Sequence, residues 1–205
     1  MLRVRLGLAA GLLGIVVTLV VVLARPPLVL AGSNEVAPKF AITFTHGGET
    51  ICQPGRTLPE GTEAIRVSLS PNIGPSVHLA VFAGSKVITE GERDPGWGVD
   101  ETVTVSVRRV AHTAYNTRIC TKIGPAAEGV QVNGERVAVN GGQAIWLRME
   151  YLRPGPSSWL SLAPSIASRM GLAHAPAGAW VGYLAIAVMI AVSGFASRLV
   201  LRELG

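Results

Sequence analysis

The stretch GETICQPGRTLPEGTEAIRVSL, residues 48–69, decides how the rest of the chain is read. It carries Cys52, and the second of the chain's two cysteines, Cys120, stands 68 positions later in YNTRICTKIG. Its last six residues, AIRVSL, alternate, so that Ile65, Val67 and Leu69 share one face of an extended strand. A strand with one apolar face needs a second layer to cover it. Two cysteines in such a setting raise the question of which side of a membrane this segment occupies.

The period of two recurs on both sides. SVHLAVFA puts Val77, Leu79 and Val81 on one face, and TVTVSVRR does the same for Val103, Val105 and Val107. FAITFT aligns Phe40, Ile42 and Phe44, while AIWLRMEYL aligns Ile145, Leu147, Met149 and Tyr151. RICTKI, around Cys120, continues the pattern less regularly. VQVNGERVAV reads as a hairpin, with Asn133-Gly134 suited to a type I′ turn. About eight short strands punctuated by Gly and Pro predict an all-β exported domain over 39–153. The expected architecture is an antiparallel β-sandwich or jelly roll; no dinucleotide or P-loop glycine pattern argues for a parallel sheet.

The composition is 49% hydrophobic and only 15% charged, with a net charge of +5. Between residues 32 and 156 twelve Lys/Arg face twelve Asp/Glu, so the middle of the chain is neutral. The excess comes from Arg3, Arg5, Arg25, Arg169, Arg198 and Arg202, offset by Glu203 alone. These residues flank apolar runs, a distribution that follows membrane topology and argues against a nucleic-acid partner.

Two apolar runs set the expected topology. Residues 6–24 carry no charge over 19 positions, close to the roughly 20 that a bilayer core requires. They read as a transmembrane helix or signal anchor; a cleaved signal peptide, with small residues at 22–24 or 29–31, is the alternative. The second run spans 175–197, with Trp180 and Tyr183 suited to the headgroup level and Arg198 beyond it. The expected order is therefore a basic cytoplasmic N-terminus (1–5), the first membrane helix (6–24), a linker (25–38) and the β-domain (39–153). A juxtamembrane amphipathic helix (154–174), the second membrane helix (175–197) and a cytoplasmic tail (198–205) complete it. In the 154–174 segment Trp159, Leu162, Ala163, Ile166 and Met170 share one face and Ser161, Ser165, Ser168 and Arg169 the other, so Trp159 and Arg169 join Trp180 and Tyr183 as interface anchors. Gly7/Gly11 and Gly178/Gly182 have the GxxxG spacing that lets membrane helices pack closely.

Catalytic constellations are absent from this pattern. His46, His78, His112 and His174 make no HxH or HExxH spacing, and no GxSxG elbow occurs, so neither a metal nor a cofactor is expected. TEGERDPGWGVDE gathers Glu90, Glu92, Asp94, Asp100 and Glu101 in what reads as an acidic loop, either solvated or offering oxygens to a hard cation. Trp97, within it, is either a sugar-stacking aromatic flanked by Asp94 and Asp100 or a cap on the core. Outside the cytoplasm Cys52 and Cys120 read as a disulfide rather than as nucleophiles.

The order of ICQPGRTLPEGTEAIRVSL, a GP before a strand, GWG before another, a second Cys, and YLRPGPSSWLSLAPSIASRMG leading into a membrane helix resembles a group of bacterial envelope proteins. Those proteins are associated with membrane glycosyltransferases and surface-glycan export. With no catalytic constellation and two apolar runs, the chain is expected to be a non-enzymatic, membrane-anchored protein, and the resemblance implies glycan-related envelope work. The apolar runs and their arginine flanks make the lipid bilayer a partner and place both termini in the cytoplasm, and the resemblance adds surface polysaccharide and a membrane glycosyltransferase or other membrane protein as expected partners. The alternative function is a subunit or sensor acting through its membrane helices, with the β-domain as a partner platform.

Overall fold

A computed structural model describes residues 2–37, 41–45, 47–98, 102–126, 129–139 and 142–170, with single positions at 184, 187, 188, 194 and 198. The chain divides into two compact units, one of residues Leu28–Pro154 and one of Met1–Pro27 with Gly155–Gly205.

The first unit is all-β and sandwich-like, with twelve strands among the described residues. In chain order they are β1 (Leu28–Ser33), β2 (Ala41–Thr45), β3 (Thr50–Leu58), β4 (Ala64–Val67), β5 (Leu69–Ser70) and β6 (Val77–Ala83). There follow β7 (Lys86–Arg93), β8 (Val103–Ser106), β9 (Ala114–Ile123), β10 (Val130–Val139), β11 (Gly142–Leu147) and β12 (Met149–Pro154). They form three four-stranded sheets: β1-β12-β4-β8, β3-β9-β6-β7, and β11-β10-β2 with β5 on β10. Every pairing is antiparallel.

The alternating triplets supply the core. Ile65, Val67, Leu69, Val77, Leu79, Val81 and Val105 are fully buried, with Val103 and Val107 close behind. Leu147, Met149 and Tyr151 are also fully buried, and all three sheets feed one apolar cluster. Burial of side chains this size contributes about 1.5–3 kcal/mol each. The face assigned to Phe40, Ile42 and Phe44 lies outside the described side chains.

Buried polar groups complete the joints between sheets. Where β11 passes into β12 at Arg148, the ladder is interrupted and amide side chains replace it. Gln53 donates from Nε2 to the Leu147 carbonyl (2.7 Å) and accepts from the Leu147 N–H (2.5 Å). Asn34 donates to the same carbonyl (2.7 Å) and accepts from the Met149 N–H (3.0 Å). These bonds meet the requirement that buried backbone groups be paired. Tyr151 on β12 donates its hydroxyl to the Gly55 carbonyl on β3, and burial pushes its phenol well above its ordinary range, so the proton stays on the donor.

Several expectations are corrected. The linker drawn over 25–38 contains β1, which pairs with β12 from Leu28↔Pro154 to Ser33↔Glu150, so the β-unit begins at Leu28 rather than at 39. Asn133-Gly134 is not a turn but the middle of β10. There the strand exchanges partners: Val130–Asn133 pair with β2, Gln131 and Val132 with β5, and Gly134 onward with β11. A β-carbon on Gly134 would fall 2.0 Å from the Trp146 carbonyl oxygen, so glycine is needed for close backbone approach rather than for a turn. Glu90 and Glu92 lie on β7, paired to Ala80 and His78, rather than in a loop.

Within the second unit, α1 (Leu2–Ala24) is one continuous helix and α2 (Trp159–Met170) a shorter one. Ser158 caps α2: its Oγ accepts the Ser161 N–H at 3.2 Å, and the Ser161 hydroxyl donates back to the Ser158 carbonyl at 2.8 Å. The helix starts at Trp159 and carries Pro164 in its interior, although the proline suggests a start or break there. Trp159 and Ile166 are exposed, as is Arg169, while Leu162 and Ala163 are half-buried. Among the described residues no helix is long and apolar enough to cross a membrane. The span expected at 175–197 and its Trp180, Tyr183, Gly178 and Gly182 lie outside the described residues, apart from single positions. At Gly7 and Gly11 a β-carbon would meet nothing within 4 Å, so the expected close helix contact is not made among the described residues.

Candidate functional site

The outer face of the β1-β12-β4-β8 sheet carries a polar row. Register places Glu150 of β12 opposite Arg66 of β4, and Arg66 opposite Thr104 of β8. The neighbouring residues on each strand, Tyr151, Ile65 and Val105, point into the core, so this row must point out. Glu150 is held between two guanidinium groups: Arg66 Nη1 lies 3.2 Å from Oε2 and Arg148 Nη2 lies 2.9 Å from Oε1. Arg148 also donates to the Val36 carbonyl at 3.2 Å. The group as a whole keeps one unit of positive charge, and the Arg66 side chain remains 40% exposed.

Beside this row lies a cavity of about 550 Å³ lined by Arg66, Arg93, Trp97, Thr102, Thr104 and Ser106, with Gly98 and Val103. Arg93 arrives from the end of β7, in a different sheet, and among the described residues it has no ion-pair partner. The two sheets meet here because β7 and β8 approach closely. A β-carbon on Gly91 would fall 1.9 Å from the Ser106 carbonyl oxygen, and the Arg108 N–H donates to the Glu90 carbonyl at 3.4 Å. Gly91→Ala should therefore part β7 from β8 and cost about 1–3 kcal/mol, read as a lower urea midpoint; an unaltered midpoint would show that the seam can yield.

Chemically the cavity offers guanidinium and hydroxyl donors, and its described lining contains no carboxylate, imidazole or thiol. Guanidinium and hydroxyl groups are chemically suited to oxyanions, to which arginine can make paired charge-assisted hydrogen bonds.

A second cavity of about 430 Å³ lies on the β3-β9-β6-β7 sheet, lined by Ser76, His78, Glu92, Lys122, Gly124 and Pro125. His78 is paired in register with Glu92 on one side and Lys122 on the other. Among the cavity's described lining residues the carboxylate of Glu92 is matched by the ammonium of Lys122. Among the described residues no cluster of three His, Cys, Asp or Glu could hold a metal ion.

The residues singled out from sequence fall differently. Cys52 and Cys120 are joined, directly opposite each other on β3 and β9. Cys52 is exposed and Cys120 half-buried, so the bond lies on the outer face of its sheet rather than in the core. Trp97 is a core residue, 9% exposed, and its Nε1 donates to the Pro75 carbonyl at 2.7 Å. Only a fraction of the indole reaches the cavity, so it has no open face on which a sugar ring could stack. Asp94 is exposed and does not line the cavity, and Asp100 lies outside the described residues. Arg66 and Arg93 were not legible as a site. The only signal was a single arginine in the outward register of AIRVSL, and nothing in the sequence brings residue 93 beside it. Compared with protein-family models, curated proteins and solved structures, the chain matches none.

Proposed function

We propose that this protein is a non-enzymatic, membrane-anchored envelope protein whose β-domain lies outside the cytoplasm and binds a surface glycan, alone or beside a membrane complex that handles one. The observation that carries this reading is α1. Its described side chains from Leu13 to Leu23 include Leu13, Ile15, Val16, Val17, Leu19, Val20, Val21, Val22 and Leu23, exposed by 39–65%. Successive residues of a helix point 100° apart, so the exposed apolar surface runs around the whole circumference. A helix apolar on all sides suits a membrane span or a large protein core rather than open water, and this supports the anchor reading. Among its described residues α1 does not by itself reach the length and apolarity of a span; what supports an anchor is the uncharged sequence run of residues 6–24, about 28 Å long at helical rise. The disulfide supports an oxidising compartment for the β-domain. The glycan part of the reading draws on the resemblance of the chain's motif order and on a cleft of donors.

The anchor is tested by expressing the full chain in a bacterial host and washing membranes with alkaline carbonate. The protein should stay in the pellet until detergent is added, and protease added outside intact spheroplasts should digest the β-domain. Release by carbonate alone would sink the anchor. Protection from external protease would place the β-domain on the other side.

A further inference from the structure

We propose that the cleft between Arg66 and Arg93 is a binding site for the oxyanion of an acidic saccharide, with the two guanidinium groups gripping a carboxylate or phosphate and the hydroxyls of Thr102, Thr104 and Ser106 meeting the neighbouring sugar hydroxyls. The saccharide as carrier rests on the function proposed above; the oxyanion site stands on the cleft alone.

Three features converge. First, the described lining is cationic: Arg66 and Arg93 both border the same cavity, and no acidic side chain is among the described lining residues. Like charges sharing a cleft raise each other's energy, and a bound anion relieves both. Second, Arg66 is positioned in advance. Glu150 holds one edge of its guanidinium at 3.2 Å, and Glu150 is itself fixed by Arg148, which is tied to the Val36 carbonyl. An arginine already ordered loses less side-chain freedom when it binds. Third, the site is assembled from two sheets. Arg66, Thr104 and Ser106 come from β4 and β8, and Arg93 from β7, brought alongside by the close approach at Gly91. Thr104 and Ser106 stand two residues apart on one strand, so their side chains lie on the same face and form a short ladder of hydroxyls. A cavity of about 550 Å³ accommodates a ligand of small oligosaccharide size.

The test uses the full chain in detergent, with calorimetric titration of three probes: trigalacturonate, the neutral trisaccharide maltotriose, and inorganic phosphate. Trigalacturonate should bind and weaken with added salt, maltotriose should not, and phosphate should compete with trigalacturonate. Arg93→Gln should weaken trigalacturonate at least about tenfold, as expected for loss of one charge-assisted contact. Arg66→Gln should do the same, and its thermal midpoint is recorded to separate lost binding from lost folding. If Arg66→Gln unfolds, the outcome rests on Arg93, which is exposed and unpaired among the described residues. Unchanged affinity in Arg93→Gln, or no binding of either anion, overturns the site. Arginine-dependent binding of phosphate but not of trigalacturonate overturns the saccharide, and with it the glycan reading, while leaving an oxyanion site. Asp100 and Glu101 precede Thr102 in the chain, so the double variant D100N/E101Q should bind the anion as well as or better than the parent. Weaker binding in that variant would contradict a cleft that selects negative charge.

Discussion

Replacing Cys52 and Cys120 together by serine should lower the stability of the β-domain by about 4 kcal/mol and its thermal midpoint by roughly 10–20 °C. The bond closes a loop between residues 68 positions apart, and the chain-entropy estimate for a loop of that length gives this magnitude. The position of the cysteines sharpens the expectation. They face each other directly on neighbouring strands, with Cys52 exposed, so removing the bond empties no core cavity and breaks no ladder hydrogen bond. The loss should therefore come from a freer unfolded chain. Urea titration checks this: the midpoint should fall while the slope rises, because the unfolded state of the variant exposes more surface. Reductant added to the parent protein should reproduce both changes. A double-serine variant with the parent's midpoint and slope would show that the bond contributes nothing to folding.

Trp97→Ala should cost about 3–5 kcal/mol, the range for truncating a large buried aromatic. The indole belongs to the same apolar cluster as Leu79, Val103 and Tyr151. It also pins the turn that carries it. Besides the bond from Nε1 to Pro75, the Gly74 N–H donates to the Trp97 carbonyl at 2.5 Å, the Gly96 N–H donates to the Gly74 carbonyl at 2.9 Å, and Ile73 bridges Gly98. Trp97→Phe, which keeps most of the apolar volume and forfeits the hydrogen bond, should lose less, about 1–3 kcal/mol. Calorimetric midpoints of the two variants measure the difference. This order separates a core pillar from a sugar-stacking platform. A platform residue would leave the midpoint where it was and change only binding, so an unaltered midpoint in Trp97→Ala would restore the exposed reading.

The cleft is where sequence and structure part most widely. Arg66 reads from sequence as an outward-facing strand residue, which it is, but Arg93, which lines the same cavity, lies 27 positions later at the end of a strand that reads as an acidic loop. KVITEGER lacks the clean alternation of its neighbours because β7 is an edge strand whose side chains are mostly exposed, so burial leaves little period in its sequence. TICQPGRTL is similarly disguised: Pro54-Gly55 suggests a turn, yet β3 runs through it with register shifts on both sides of Arg56. Proline is tolerated because β3 ends its sheet, with no second paired strand among the described residues to require its N–H.

What the sequence determined by itself is the part that depends on neighbours along the chain. The alternation in AIRVSL, SVHLAVFA and TVTVSV places each side chain in or out, whatever strand lies alongside, because successive residues of a strand point to opposite faces. The even cysteine count, in a segment read as exported, likewise predicted the staple that joins β3 to β9. Only the tertiary structure decided which backbones pair and where they change partners. Asn133-Gly134 has the chemistry of a turn, and the chain stays extended there because β2, β5 and β11 each offer hydrogen bonds to β10 and because glycine admits the Trp146 carbonyl. Trp97 became core, and Arg66 and Arg93 came to line one cavity, for the same reason: both depend on groups far away in sequence, whose placement no local pattern encodes.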